Sequence, residues 1–282
     1  MKRATIDLAL KLTPKTRHAV SADGKDVIIK HTDEHEVEVL RYLHGKQSTK
    51  QTRIIPLLDV IDRRLIVLPV RTPLSQFLDL DASAGDVEQL ALQFLEGVAY
   101  LQKTSVAHLD LKPDNIVVAR DAETGEVNLA IIDFNIAVFA DVEPTISASS
   151  GTPGWCAPEV SAGMSYNPLL ADRWSCGRVL STFTKHMEPG QIREAMCSFS
   201  QQLMHPDPLL RPPVTKLATC IQKTRRSRKP QFKLAPQDPH VRKQEAARRP
   251  RDVNSRLRRL TKSSNKSDTQ AKKGVAMPLR LD

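Results

Sequence analysis

Residues 108–135 constrain this chain more than any other stretch. They open with His108-Leu109-Asp110-Leu111-Lys112-Pro113-Asp114-Asn115 and close with Asp133-Phe134-Asn135. Two apolar runs lie between, residues 116–118 and 127–132, separated by the polar loop 120–126. β-Branched residues on either side of an Asp/Thr/Gly loop predict a β-hairpin. Such a hairpin holds its two ends side by side. One end carries Asp110, with Lys112 two residues on and Asn115 five on; the other carries Asp133, directly after a strand. One cation, one amide and two carboxylates on a rigid support suit a metal–phosphate site. Mg²⁺ takes hard oxygen ligands, usually one or two carboxylates plus substrate phosphates. A free carboxylate beside it accepts a hydroxyl proton.

The stretch resembles the catalytic loop and metal-binding motif of eukaryotic protein kinases, H-R-D-L-K-x-x-N followed by D-F-G. The resemblance implies roles for its residues. Asp110 falls on the catalytic base and Lys112 on the residue that neutralises the transferred phosphate. Asn115 and Asp133 fall on the two Mg²⁺ ligands, and ATP is the implied phosphate donor. The plainer alternative is a buried turn whose carboxylates are satisfied locally.

Other stretches extend the resemblance. Ala22-Asp23-Gly24-Lys25 is a turn signal, and Val27-Ile28-Ile29 then reads as a strand ending at Lys30. V-I-I-K is similar to the family's V-A-I-K, whose Lys pairs with the nucleotide phosphates and with a Glu on the next helix. Residues 33–44 have helical spacing. Glu36 is the implied partner of Lys30, with Glu34 and Glu38 as rivals. Residues 54–58 and 65–68 read as further strands. Residues 69–71 resemble the hinge that contacts adenine, with Leu68 guarding the back of the pocket and Val70 beside it. A short helix from Leu74 and a long one over residues 86–103 follow, the latter capped by Ser83 or Asp86.

Gly151-Thr152-Pro153-Gly154-Trp155-Cys156-Ala157-Pro158-Glu159 resembles G-T-x-x-Y-x-A-P-E, the floor of the peptide groove. Thr152 with Lys112 is the Ser/Thr-kinase pattern and implies hydrogen bonds from Thr152 to Asp110 and Lys112. Glu159 has an expected partner in Arg211, and Asp172-Arg173-Trp174-Ser175-Cys176-Gly177 resembles the start of the family's central helix, whose Asp tethers the catalytic loop. Helices are expected over residues 191–203 and 214–222.

Three departures stand out. Residues 1–29 contain one glycine, Gly24, so no G-x-G-x-x-G loop precedes Lys30 to cradle phosphates with backbone N–H groups. Leu109 replaces the Arg that binds a phosphorylated activation segment, which predicts independence from such phosphorylation. Asn135 stands where the family has Gly, a position that can need positive φ; Asn is the non-glycine residue best suited to it, so the swap is expected to cost little.

The implied fold is α+β: a two-lobed kinase-like fold with a small β-rich lobe over residues 1–70 and a larger, mainly helical lobe over residues 71–222. The 282 residues leave room for a tail besides. Residues 223–282 carry 19 Lys and Arg against 5 Asp and Glu, a net charge of +14, while residues 1–222 sum to −4. That tail has a disordered composition and suits nuclear import, nucleic acid or acidic proteins. Four dispersed cysteines without a C-x-x-C read as reduced thiols, and no apolar run reaches membrane-spanning length. A monomer of the cytoplasm or nucleus is expected, with ATP and Mg²⁺ as cofactors and protein as substrate. The alternative is a pseudokinase, a binding module with little or no ATP affinity.

Overall fold

A computed structural model describes residues 7–11, 16–46 and 52–216. The basic segment 223–282 and most of the helix expected at 214–222 lie outside the described residues.

The chain begins with β1 (Asp7–Lys11), β2 (Thr16–Val20) and β3 (Asp26–His31). After helix α1 (Glu34–Gly45) come β4 (Asp59–Ile61) and β5 (Leu65–Pro69). These five strands form one antiparallel sheet in the order β1-β2-β3-β5-β4. Alternation along β3 sorts its side chains. Val27 and Ile29 are buried with Ala19 and Val67, while Ile28 packs on the main core and Lys30 shares its face. The strand period thus turns Lys30 toward the rest of the molecule. Helix α1 starts at Asp33, whose carboxylate accepts from Glu36 N at 2.9 Å. Val37, Leu40 and Leu43 recur at helical spacing and are buried in the main core.

Residues 54–58, expected as a strand, do not form one; β4 begins at Asp59. Pro56 has no N–H to give a ladder. The run instead crosses to the hairpin. Ile131 N donates to Arg53 O (2.8 Å), Ile55 N donates to Ile131 O (3.0 Å), and both isoleucines at 54 and 55 are buried.

Beyond Val70 and Arg71 the chain enters its helical part through β6 (Thr72–Pro73) and α2 (Leu74–Leu80). Helix α3 (Ala84–Lys103) follows, starting two residues before the expected position. Ser83 is its cap and Asp86 bonds back to it, so the two residues form a reciprocal box. Next come β7 (Val106–Ala107), β8 (Ile116–Arg120), β9 (Val127–Ile131) and β10 (Val138–Phe139). The expected hairpin is β8–β9, paired from Ile116↔Ile131 to Arg120↔Val127. Buried Gln93 of α3 fastens it, donating to Val127 O and accepting from Leu129 N, both at 2.7 Å. A short α4 (Pro158–Ser161), α5 (Pro168–Lys185) and α6 (Gln191–Leu203) complete the described elements. Gly177 lets α5 and α6 approach closely, since a Cβ there would lie 2.8 Å from Ser200 O. Among the described residues no helix is long and apolar enough to cross a membrane.

Candidate active site

The loop after β7 is held from beneath. Asp172, buried on α5, accepts from His108 N (2.6 Å) and Leu109 N (2.9 Å). This clamp holds Leu109 at φ +62°, a left-handed conformation that a branched side chain resists. The His108 ring lies 4.8 Å from that of Phe134, centroid to centroid, and its Nε2 donates to Ile132 O at 2.9 Å. Loop and hairpin end are therefore tied together through one buried imidazole. Burial pushes the His108 pKa down and favours this neutral ring.

On that base sits a dense polar knot. Lys112 Nζ donates to Asp110 Oδ2 (2.7 Å) and to Thr152 Oγ1 (2.6 Å). Thr152 Oγ1 donates in turn to Asp110 Oδ1 at 2.7 Å. Asn115 Nδ2 donates to Asp110 O (2.9 Å) and Asp110 Oδ2 (3.0 Å). Every oxygen of Asp110 is thus oriented. Burial pushes this carboxyl upward, but the bonds from Lys112, Thr152 and Asn115 outweigh it and hold its pKa below the ordinary value.

A second knot joins the sheet to the hairpin. Lys30 Nζ lies 2.8 Å from Glu36 Oε1 and 2.7 Å from Asp133 Oδ1. Glu36 is 1 % exposed, whereas its rivals Glu34 and Glu38 face solvent, as their places on α1 dictate. Glu36 Oε1 also accepts from Phe134 N at 3.1 Å. The two knots meet through the backbone, where Ile132 N donates to Asn115 O at 3.0 Å. Asp110, Asn115 and Asp133 therefore converge. Leu68 is buried in the main core at the end of β5, and Val70 is exposed where the chain leaves the sheet.

Asn135 does not need a positive φ here. That conformation belongs to Asp133, at φ +70°. Asn135 acts through its side chain instead. Its Nδ2 donates to Asp133 Oδ1 (2.6 Å) and its Oδ1 accepts from Thr32 Oγ1 (3.0 Å), which also bonds Glu36. Neither Thr32 nor this role of Asn135 was legible in the sequence. They lie 103 residues apart, and no local spacing links them.

Two lysines and three carboxylates, Lys30, Lys112, Glu36, Asp110 and Asp133, leave the cluster one negative charge. The half-exposed Asp133 carboxylate and the Asn115 amide oxygen are hard donors. They fit a cation of the Mg²⁺ type that completes its shell with phosphate and water. The groove floor is tied down separately: Arg211 grips Glu159 through Nη1–Oε1 (2.6 Å) and Nη2–Oε2 (2.8 Å).

Comparison with known proteins follows the same outline. The family model described as protein kinase domain matches residues 24–231. Calcium/calmodulin-dependent protein kinase type IV of Mus musculus is 36% identical over 107 residues, 38% of this chain and 22% of that protein. CBL-interacting protein kinase 29 of Oryza sativa subsp. japonica is 31% identical over 183 residues, 62% of this chain and 39% of that protein. Serine/threonine-protein kinase 17A of Oryctolagus cuniculus is 37% identical over 94 residues, 33% of this chain and 22% of that protein. The matched regions thus span well under half of each of these relatives.

Proposed function

The chain belongs to the protein kinase family, and from that premise we propose that it transfers the γ-phosphoryl group of ATP to Ser or Thr hydroxyls of protein substrates. The observation that carries this reading is the bonding of Asp110 to Lys112, Thr152 and Asn115. A carboxylate with a lowered pKa and both oxygens directed is poised to orient a hydroxyl and accept its proton. Lys112, 2.7 Å away, offsets charge on the group in transit. Lys30, held by Glu36, would contact the α/β-phosphates. Asn115 and Asp133 would hold Mg²⁺, which would neutralise charge on the phosphate oxygens. Leu68 and Val70 flank the adenine. Thr152 bonds both Asp110 and Lys112, the pattern that goes with Ser/Thr acceptors in the family.

The test is transfer of labelled phosphate from ATP to the chain itself and to generic basic proteins, with wild type and Asp133→Ala. Transfer by wild type alone is expected. Its absence from both counts against catalysis.

A second reading has one observation in its favour. Residues 12–15, which join β1 to β2, are Leu-Thr-Pro-Lys and contain no glycine. A binding module without ATP affinity fits that feature. Titration with Mg-ATP separates the two, because a ligand that binds only the native state raises the melting temperature.

A further inference from the structure

A second cavity, of about 750 Å³, shares no residue with the cluster around Asp110. It lies along the turn end of the β8–β9 hairpin, lined there by Arg120 and Ala122, and is closed by Arg53, Arg71 and His44. Asn115 and Arg120 mark opposite ends of β8, about 16 Å apart at ~3.3 Å per residue. From this turn end the lining runs along β9 as far as Ala130, and none of it belongs to the site already described.

Its charge is unusual. Arg53 is paired with Glu96 (3.0 Å) and Arg120 with Asp86 (3.0 Å). Arg71 is partly buried and donates to the backbone carbonyl of Asn128 at 3.1 Å, and among the described residues it makes no ion pair. A guanidinium carries five N–H donors, and one carbonyl occupies little of that capacity. Burial and the neighbouring Arg53 both push its pKa down, the mark of a cation set beside another cation. The one carboxylate in the wall, Asp121, is engaged by its own turn. Its Oδ1 accepts from Thr124 N (2.7 Å) and Glu123 N (3.0 Å). The cavity therefore holds one partly buried cation with no ion-pair partner, flanked by two carboxylate-paired guanidinium groups and by Asp121, whose carboxylate is turned to its own loop.

We propose that this cavity binds a phosphate group, with Arg71 as its principal contact and Arg53 and Arg120 as flanking cations. A guanidinium fork matches phosphate oxygens two at a time. Cations brought from three elements of the chain suit a tetrahedral dianion better than a single planar carboxylate. The group comes either as free phosphate or as a phosphomonoester.

The test is calorimetric titration of the full chain with inorganic phosphate and, separately, with phosphoserine. Saturable binding of one equivalent is expected. Arg71→Gln should weaken it about tenfold, the loss of one charge-assisted contact. Ala122→Glu, at an exposed position in the lining, should weaken it comparably by adding a carboxylate to the cavity wall without touching the core. Lys30→Met, which removes a cation from the cleft, should leave it unchanged. Tighter binding of phosphoserine assigns the site to esters; tighter binding of inorganic phosphate assigns it to the free ion. Affinity unaltered by both cavity variants overturns the proposal and moves the binding to the basic tail. Loss of binding in Lys30→Met moves it to the cleft and overturns it equally. Absence of saturable binding ends it.

Discussion

Arg211 is 1 % exposed, and its guanidinium is bonded on every side. Besides the two bonds to Glu159, Nε donates to His205 O (2.9 Å) and Nη1 to Leu170 O (2.9 Å). Glu159 opens α4 and is itself 9 % exposed. Removing the carboxylate strands a cation in a place water does not reach. Glu159→Ala should therefore cost roughly 3–5 kcal/mol, the range for breaking one side of a buried pair. For a domain of this size that is a fall of about 10 °C in melting temperature. The pair itself is worth far less than this, because both charges were desolvated to make it. Replacing both sides by apolar groups, Glu159→Leu with Arg211→Met, should return much of the loss. Urea unfolding of wild type, both single variants and the double variant gives the coupling energy directly. A single-variant loss below about 1 kcal/mol would refute the claim that the cation is stranded. So would a double variant as unstable as the two losses summed.

The remaining predictions concern the loop and its supports. Asp110→Asn and Lys112→Met should each lower phosphoryl transfer roughly 100- to 10,000-fold with little change in melting temperature, checked by steady-state kinetics and thermal unfolding. Burial raises the Asp172 carboxyl to about 7 from 3.8. The folded state then keeps a proton that the unfolded chain releases, so this group's contribution to stability falls as pH rises from about 4 to 7. Asp172→Asn should flatten that part of the pH–stability profile; an unchanged slope would count against it. Gly151→Ala sets a Cβ 2.5 Å from Leu109 O at a backbone φ of +82°, so activity should drop more than tenfold, and a kinetically normal variant would contradict the packing. Leu109 is 7 % exposed and packs with Ala157, Val160 and Tyr166, where it offers no cation to a phosphate. Alanine at Thr145, Ser147, Ser149 and Ser150 together should keep activity within about tenfold of wild type, measured by the same transfer assay.

Much of the architecture was legible because it is local. Strand alternation from Val27 to Lys30, the helical spacing of Val37, Leu40 and Leu43, and the loop 120–126 between apolar runs are each written within a dozen residues. The expected strand at 54–58 failed for a matching reason. Apolar runs announce burial, but whether a run joins a ladder depends on which backbone groups face it. Here Ile131 took up the backbone of Arg53 and Ile55. The spacing of Asp110, Lys112 and Asn115 fixed which groups the loop carries, and turn geometry alone brings them together.

What the chain's order of residues left open was every pairing across a distance. Glu34, Glu36 and Glu38 are equivalent by composition; only the docking of α1 against β3 and the hairpin selects Glu36 for Lys30. The left-handed turn fell at Asp133 and not at Asn135, whose side chain is held between Thr32 and Asp133. Arg53, Arg71 and Arg120 come from three separate segments, and nothing in their spacing brings them to one cavity. Local propensity is encoded by neighbours in the chain. A choice among equal side chains is made by the desolvation and contact energy of the packed whole, and those terms exist only once the elements have met.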